Sequence, residues 1–212
     1  MFTIVPASSA AIPEASEALA SAFEHDTVMG TLTRGSDARG RLARLFGALT
    51  RSGALKGGRL DLARRDDDGL ILGAAIWEQP GHHTSLAAQA RELPAFLRAL
   101  GVGGLLAAMK VQSALALHRP AEPHWYLAQI GVTAEARGLG VGSALLRRRL
   151  DAIDLAAEAA YLESSNERNR ALYRRHGFTS IGTIAGIPNA RPAAMWRPPT
   201  FLRPTAQPLP AT

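Results

Sequence analysis

A chain of 212 residues is long enough for one good-sized core and short for two domains, and its 47% hydrophobic and 20% charged content is that of a globular protein. The absence of cysteine excludes disulfides, thiolate metal sites and a cysteine nucleophile. The formal charge of +6 favours anionic partners, but the densest basic clusters, Arg147-Arg148-Arg149 and the arginines of 168–175, fall inside expected helices and suit a polyanionic small molecule as well as DNA.

The first elements are a strand over residues 3–6 and a helix over 11–24, with Pro13 tolerable in its first turn. Residues 25–30 break that pattern. Ser36-Asp37 is placed to cap a further helix carrying Leu42, Leu45, Phe46 and Leu49 on one face. After Gly57-Gly58, residues 59–77 read as a hairpin turning at Asp66-Asp67-Asp68-Gly69. Residues 80–83 form a loop, and His82-His83 lack metal-ligand spacing. Residues 84–118 read as two helices or one bent helix, interrupted around Pro94 and Gly101–Gly104. The uncharged apolar run at 99–109 is shorter than the roughly 20 residues of a membrane span. The N-terminus shows no signal-peptide pattern, so the expectation is a cytoplasmic protein without a membrane partner.

The most informative stretch is 124–178. An apolar strand, His124-Trp-Tyr-Leu-Ala-Gln-Ile-Gly-Val132, leads into Arg137-Gly138-Leu139-Gly140-Val141-Gly142-Ser143 and a helix over 144–154. A short strand over 160–163, a helix containing Tyr173, and Gly177-Phe178 follow. Two last strands are expected over 178–187 and 193–197, then a Pro-rich tail over 198–212. The succession is α+β, a three-layer α/β arrangement with a mixed, mostly antiparallel sheet, in one domain over 1–197.

Glycines allow close backbone approach, and the first amides of a helix have no internal partners and sit at its positive end, so the turn can hold phosphates. The spacing of Gly138, Gly140 and Gly142 is not that of a dinucleotide or nucleoside-triphosphate loop.

This run resembles the GCN5-related N-acetyltransferase (GNAT) family. Arg137, Gly140 and Gly142 match the family's phosphate turn, Ile130 and Val132 its pantetheine-pairing strand, and Asn166, Tyr173 and Gly177-Phe178 its tyrosine motif. His118-Arg119-Pro120, Glu122-Pro123 and Trp125 look like the corresponding stretch of puromycin N-acetyltransferase, as does Leu162-Glu163 with Ser165. That is a branch which includes antibiotic-modifying enzymes.

The resemblance implies acetyl-CoA as cosubstrate and no metal. The implied cofactor-binding residues are Ile130, Val132, Arg137, Gly138, Gly140, Val141, Gly142, Ser143 and Asn166. Asn166 is alternatively an N-cap. The implied reaction is direct acetyl transfer to a primary amine of a small molecule, an antibiotic or aminonucleoside among the options. The amine must lose a proton, the thioester carbonyl must be polarised, and the leaving sulfur must be protonated. Tyr173 is the expected acid, and the amide of Val132 or its neighbour polarises the carbonyl. Glu163 is the candidate base, with Glu122, His124, His25 and Asp26 as weaker choices. Trp77 and Trp125 read as core or pocket wall. A non-catalytic acyl-CoA-binding module, a protein-amine acetyltransferase and a basic nucleic-acid-binding domain are the competing readings. The nucleic-acid reading suffers from an aromatic content of only 6%. The family resemblance leaves room for a homodimer.

Overall fold

The computed structural model describes residues 1–33, 37–54, 58–82 and 85–200. Its strands are β1 (Phe2–Pro6), β2 (Gly58–Arg65), β3 (Ile71–Glu78), β4 (His124–Val132), β5 (Ala159–Ser164), β6 (Thr179–Thr183) and β7 (Ala193–Arg197). They form one sheet in the order β1-β2-β3-β4-β5-β7-β6. Every neighbouring pair is antiparallel except β4 and β5, which run parallel. This is the expected mixed, mostly antiparallel α+β sheet. The helices are α1 (Ile12–Phe23), α2 (Thr27–Leu32), α3 (Ala38–Leu49), α4 (Leu86–Ala116), α5 (Val141–Leu155) and α6 (Glu167–Arg175).

Period-two alternation sends neighbouring strand residues to opposite faces. Leu62 packs with Leu19, Leu42 and Phe46 of α1 and α3, whereas Ala63 packs on the α5 side with Leu145, Leu146 and Ile153. Leu145 and Leu146 are completely buried, and each such side chain contributes roughly 1.5–3 kcal/mol. Helices therefore cover both faces. A third apolar cluster joins α4 to Tyr161 of β5 and Ile184.

Several local expectations change. Residues 25–30 contain the start of a helix. Asp26 caps α2, its Oδ1 accepting from the amides of Val28 at 2.9 Å and Met29 at 3.1 Å. Asp37 stands at the N-cap of α3 without capping it. Its φ is 61°, and its carboxylate pairs with Arg44 at 3.1 Å. Ser36, Gly57, His83 and the tail from 201 lie outside the described residues. Leu49, expected on the buried face of α3, is 37% exposed.

Pro94 does not interrupt α4. The break is at Gly101, whose φ of 67° and ψ of 176° no helix accommodates. Among the described residues α4 is long and apolar enough to cross a membrane by length and composition, unlike the shorter run read from sequence. The break divides it into pieces of about 22 Å, short of the ~30 Å of a hydrocarbon core. Its apolar residues instead line a cavity, described below.

Three of the clustered arginines are paired within the protein. Arg149 lies against the fully buried Asp61 of β2 at 2.7 Å and over the Trp125 ring. Arg170 and Arg174 both pair with Glu167. Arg149 ties α5 to β2, and Arg170 also donates to the Arg191 carbonyl at 3.0 Å, while Arg174 pairs within α6.

Candidate active site

β4 and β5 pair only from His124 to Tyr126. Beyond that point the strands diverge and leave a cleft. On its other edge β4 stays paired with β3, with one extra residue, Ala128, between the partners of Ile76 and Trp77. The Thr133 amide donates to Leu72 at 2.9 Å, towards β3. Alternation along a strand then turns the polar main-chain groups of Val132 and Ile130 to the opposite, cleft edge.

The glycine turn follows this edge. Gly138 and Gly140 have φ of 86° and 81°, and a Cβ on either would meet no atom within 4 Å. Gly140 is the N-cap of α5, and the first helical bond runs from the Ala144 amide to its carbonyl at 3.0 Å. The amides of Val141, Gly142 and Ser143 precede that bond and point out of the helix end. The Ser143 hydroxyl contacts His176 Nε2 at 3.2 Å. Val132 borders the turn, since a Cβ on Gly142 would lie 3.6 Å from its Cγ2. Arg137 is exposed at the entry. A strand edge leading to open, donor-rich glycines fits an extended chain ending in phosphates.

A cavity of about 760 Å³ opens from this cleft, lined by Ile130, Glu163 and Tyr173 and walled by α2, α3 and α4. Tyr173 is 5% exposed, in the last turn of α6. Burial, with a smaller contribution from the Asp26 charge, pushes its phenol well above the ordinary tyrosine value, so it is protonated at neutral pH. Glu163 accepts from the Tyr126 hydroxyl at 2.7 Å, while its Oε1 is buried without a hydrogen-bond partner. Burial raises its carboxyl above the ordinary range, against the opposing Tyr126 bond and the Arg119 charge.

Residues 64–178, more than half of the chain, match the family model described as Acetyltransferase (GNAT) family. The chain belongs to the GNAT acetyltransferase family. A solved structure from Corynebacterium glutamicum, named histone acetyltransferase HPA2 and related acetyltransferase, is 30% identical with a TM-score of 0.72, over 97% of this chain and 99% of that one. Arylalkylamine N-acetyltransferase 2 from Aedes aegypti is 16% identical with a TM-score of 0.66, over 93% and 98%. The ribosomal-protein-S18-alanine N-acetyltransferase from Escherichia coli is 13% identical with a TM-score of 0.53, over 98% and 99%. At those two identities the likeness is one of fold.

GNAT enzymes use acetyl-CoA, and the strand edge and turn of this GNAT chain fit it. Asn166 takes the capping alternative: its Oδ1 accepts from the Asn169 amide at 2.9 Å at the start of α6. Its neighbour Ser165 donates to Asp26 Oδ2 at 2.6 Å, tying α6 to α2. Among the weaker bases, His124 stacks edge-on with Tyr161 and Trp196 and is lowered by burial, away from the cavity lining. His25 and Glu122 are exposed and do not line the cavity either. Trp77 is fully buried in the core, and Trp125 donates to Glu158 at 2.6 Å.

Sequence reasoning missed four residues of this GNAT cavity. Glu78, His82, Arg119 and Tyr126 line it together with Glu163. The Arg119 guanidinium lies 3.7 Å over the Tyr126 ring. Burial raises the Glu78 carboxyl, opposed by Arg119 and His82. Glu78 had one signal in the sequence, as the acid closing the apolar run 71–77. The others come from a linker, a loop and a strand whose meeting no spacing reveals.

Proposed function

We propose that this acetyl-CoA-dependent GNAT enzyme acetylates a primary amine of a small molecule held in the cavity, by direct attack. The observation that carries this reading is that Glu163 and Tyr173, on β5 and α6, line one cavity continuous with the β4 edge. Walls from α2, α3 and α4 make it a chamber, the shape for a small molecule more than for a protein segment lying along a surface. Acetyl-CoA, when bound, supplies an acyl carbon whose bond to sulfur breaks as its bond to the amine nitrogen forms. Ile130 and Val132 present main-chain groups to its extended arm, and the amides of Gly138, Gly140, Val141, Gly142 and Ser143, with Arg137, hold its phosphates. Glu163 takes the proton from the ammonium, and its raised pKa brings it closer to that of the amine. The Val132 amide polarises the carbonyl. Tyr173 gives its proton to the departing sulfur and recovers one, through solvent, as the nitrogen sheds its second proton on becoming an amide, so that the net release is the one proton Glu163 returns to solvent.

The structural neighbours include a structure named histone acetyltransferase HPA2 and related acetyltransferase and an arylalkylamine N-acetyltransferase, and the enclosed chamber supports the small-amine reading here. Calorimetric titration with acetyl-CoA, with free CoA and NADPH as comparators, tests the cosubstrate. Thiol release with a panel of small amines, aminonucleosides included, and lysine peptides tests the acceptor. Micromolar binding of acetyl-CoA without response to NADPH, and turnover of small amines above peptides, is expected. Absence of CoA binding refutes the reading, and preference for peptides moves it to a protein substrate.

A further inference from the structure

The chamber has two unlike ends. Glu78, His82, Arg119, Tyr126 and Glu163 gather at one, and three of their atoms, His82 Nε2, Arg119 Nε and Glu163 Oε1, are buried without a hydrogen-bond partner. The remaining wall is largely apolar, with Phe23, Met29, Leu32, Leu45, Phe96 and Leu105 among its residues. Apolar character continues outward along α4, where Leu86 is 83% and Met109 60% exposed and both still line the opening.

Glu163 Oε1 is an acceptor and calls for a ligand head that donates, because buried polar groups are ordinarily paired, whereas Arg119 Nε–H is itself a donor, its guanidinium lying over the Tyr126 ring. An apolar wall penalises any further polar group on the ligand's body. The charge balance gives the sign of the head. Asp26 also lines the chamber, but its two oxygens are engaged by the α2 amides and by Ser165. Glu78 and Glu163 face one guanidinium and the His82 imidazole, so with that imidazole neutral and both carboxyls ionised one negative charge has no counterpart. That guanidinium in turn repels a ligand carrying a second cation.

Resting on the acetyltransferase reading above, we propose that the acceptor is an aryl- or alkylamine, a single ammonium on an apolar body, and that Glu78 receives the ammonium beside Glu163. Glu78 is a positioning residue in this account, and Glu163 is the group that takes the proton. The cavity of about 760 Å³ is of the size that encloses such molecules. Uncharged Gln89, Gln112, Gln129 and Asn169 also line the chamber, but a polyamine carries extra charges for which the chamber offers no carboxylate beyond Glu78, Glu163 and the engaged Asp26.

Binding can be read without acetyl-CoA. Calorimetry on the full chain would compare octylamine and 2-phenylethylamine with spermidine, and octylamine with octanol. The amines should bind at least tenfold more tightly than both spermidine and octanol. Glu78→Gln should weaken octylamine at least fivefold and leave octanol unchanged. Equal or tighter binding of spermidine, or octanol matching octylamine, overturns the proposal in the unaltered protein, whether or not the variant folds. A folded Glu78→Gln protein with unaltered octylamine affinity overturns the role of Glu78. A separate acetyl-CoA titration keeps failure of the cosubstrate reading distinct from failure of this one.

Discussion

The amide of Phe178 donates to the carbonyl of Tyr173 at 3.1 Å. With the Gly177 amide on the Arg174 carbonyl at 3.1 Å and Gly177 at φ 86°, this is a Schellman closure of α6. The accompanying apolar contact is the edge-on packing of the Tyr173 and Phe178 rings, 6.1 Å between centroids. The Gly-Phe that follows the tyrosine in sequence thus fixes the turn from which the phenol projects.

Gly177→Ala should therefore affect both stability and turnover. A Cβ there would sit 3.1 Å from Arg197 Nε and force a left-handed backbone on alanine. A loss of about 1–2 kcal/mol is expected, read by urea unfolding. kcat should fall severalfold with acetyl-CoA affinity retained. An unchanged kcat would show that the closure does not position Tyr173.

Tyr173→Phe removes the proton donor and keeps the ring packing. Loss of general-acid assistance costs on the order of 10²-fold in kcat, with the acetyl-CoA Kd altered by no more than about twofold. Steady-state kinetics and calorimetry on one preparation check both. Full activity would retire Tyr173 as the acid.

Gly142→Glu should abolish acetyl-CoA binding by setting bulk and negative charge at the helix start. Gly142→Ala is the control. Its Cβ would meet Leu172 at 3.5 Å and Val132 at 3.6 Å, ordinary contact distances, so the fold should accept it. Retained binding in folded Gly142→Glu would remove the phosphates from this turn.

Glu163 links catalysis to pH in a definite direction. Its folded pKa is raised by burial, so above the unfolded carboxylate value of about 4.3 the unfolded chain releases its proton first. Stability therefore falls as pH rises from the unfolded towards the folded pKa. Glu163→Gln should be more stable than the parent at neutral pH, with the advantage vanishing near pH 4. The acid limb of kcat/KM, placed above the ordinary carboxylate range in the parent, should disappear in the variant. Thermal melts and rate profiles between pH 4 and pH 8 test both, and parallel stability curves would contradict the assignment.

α5 ends in the same kind of closure, with the Glu158 amide on the Ile153 carbonyl at 3.0 Å and the Ala157 amide on Asp154 at 3.0 Å. Here the left-handed position is Ala157, at φ 51°. Ala157→Gly should stabilise the protein by about 0.5–1 kcal/mol, the strain relieved less the added freedom of the unfolded chain. Equilibrium denaturation measures it, and a lower midpoint would contradict it.

What the sequence made legible was local. The glycine turn, the strand before it and the tyrosine seven residues after Asn166 carry their meaning in spacing, because each is one stretch of backbone. The polar end of the cavity was hidden because Glu78, His82, Arg119 and Tyr126 meet Glu163 only after the sheet assembles. The pairing of Arg149 was hidden for a related reason. The partner of Arg149 is Asp61, on a strand 88 residues away in sequence. α2 was missed because a six-residue helix with a central glycine has little periodicity, and its evidence is the Asp26 cap.

The bend of α4 at Gly101 folds one long helix around a chamber whose reacting end belongs to β4, β5 and α6. The α4 wall and the elements that carry Glu163 and Tyr173 are thereby written on separate stretches of one gene. A descendant could trade one side chain on α4 for another, lengthen a piece of it, or tilt it at the glycine, and acquire a new diet while inheriting its chemistry intact.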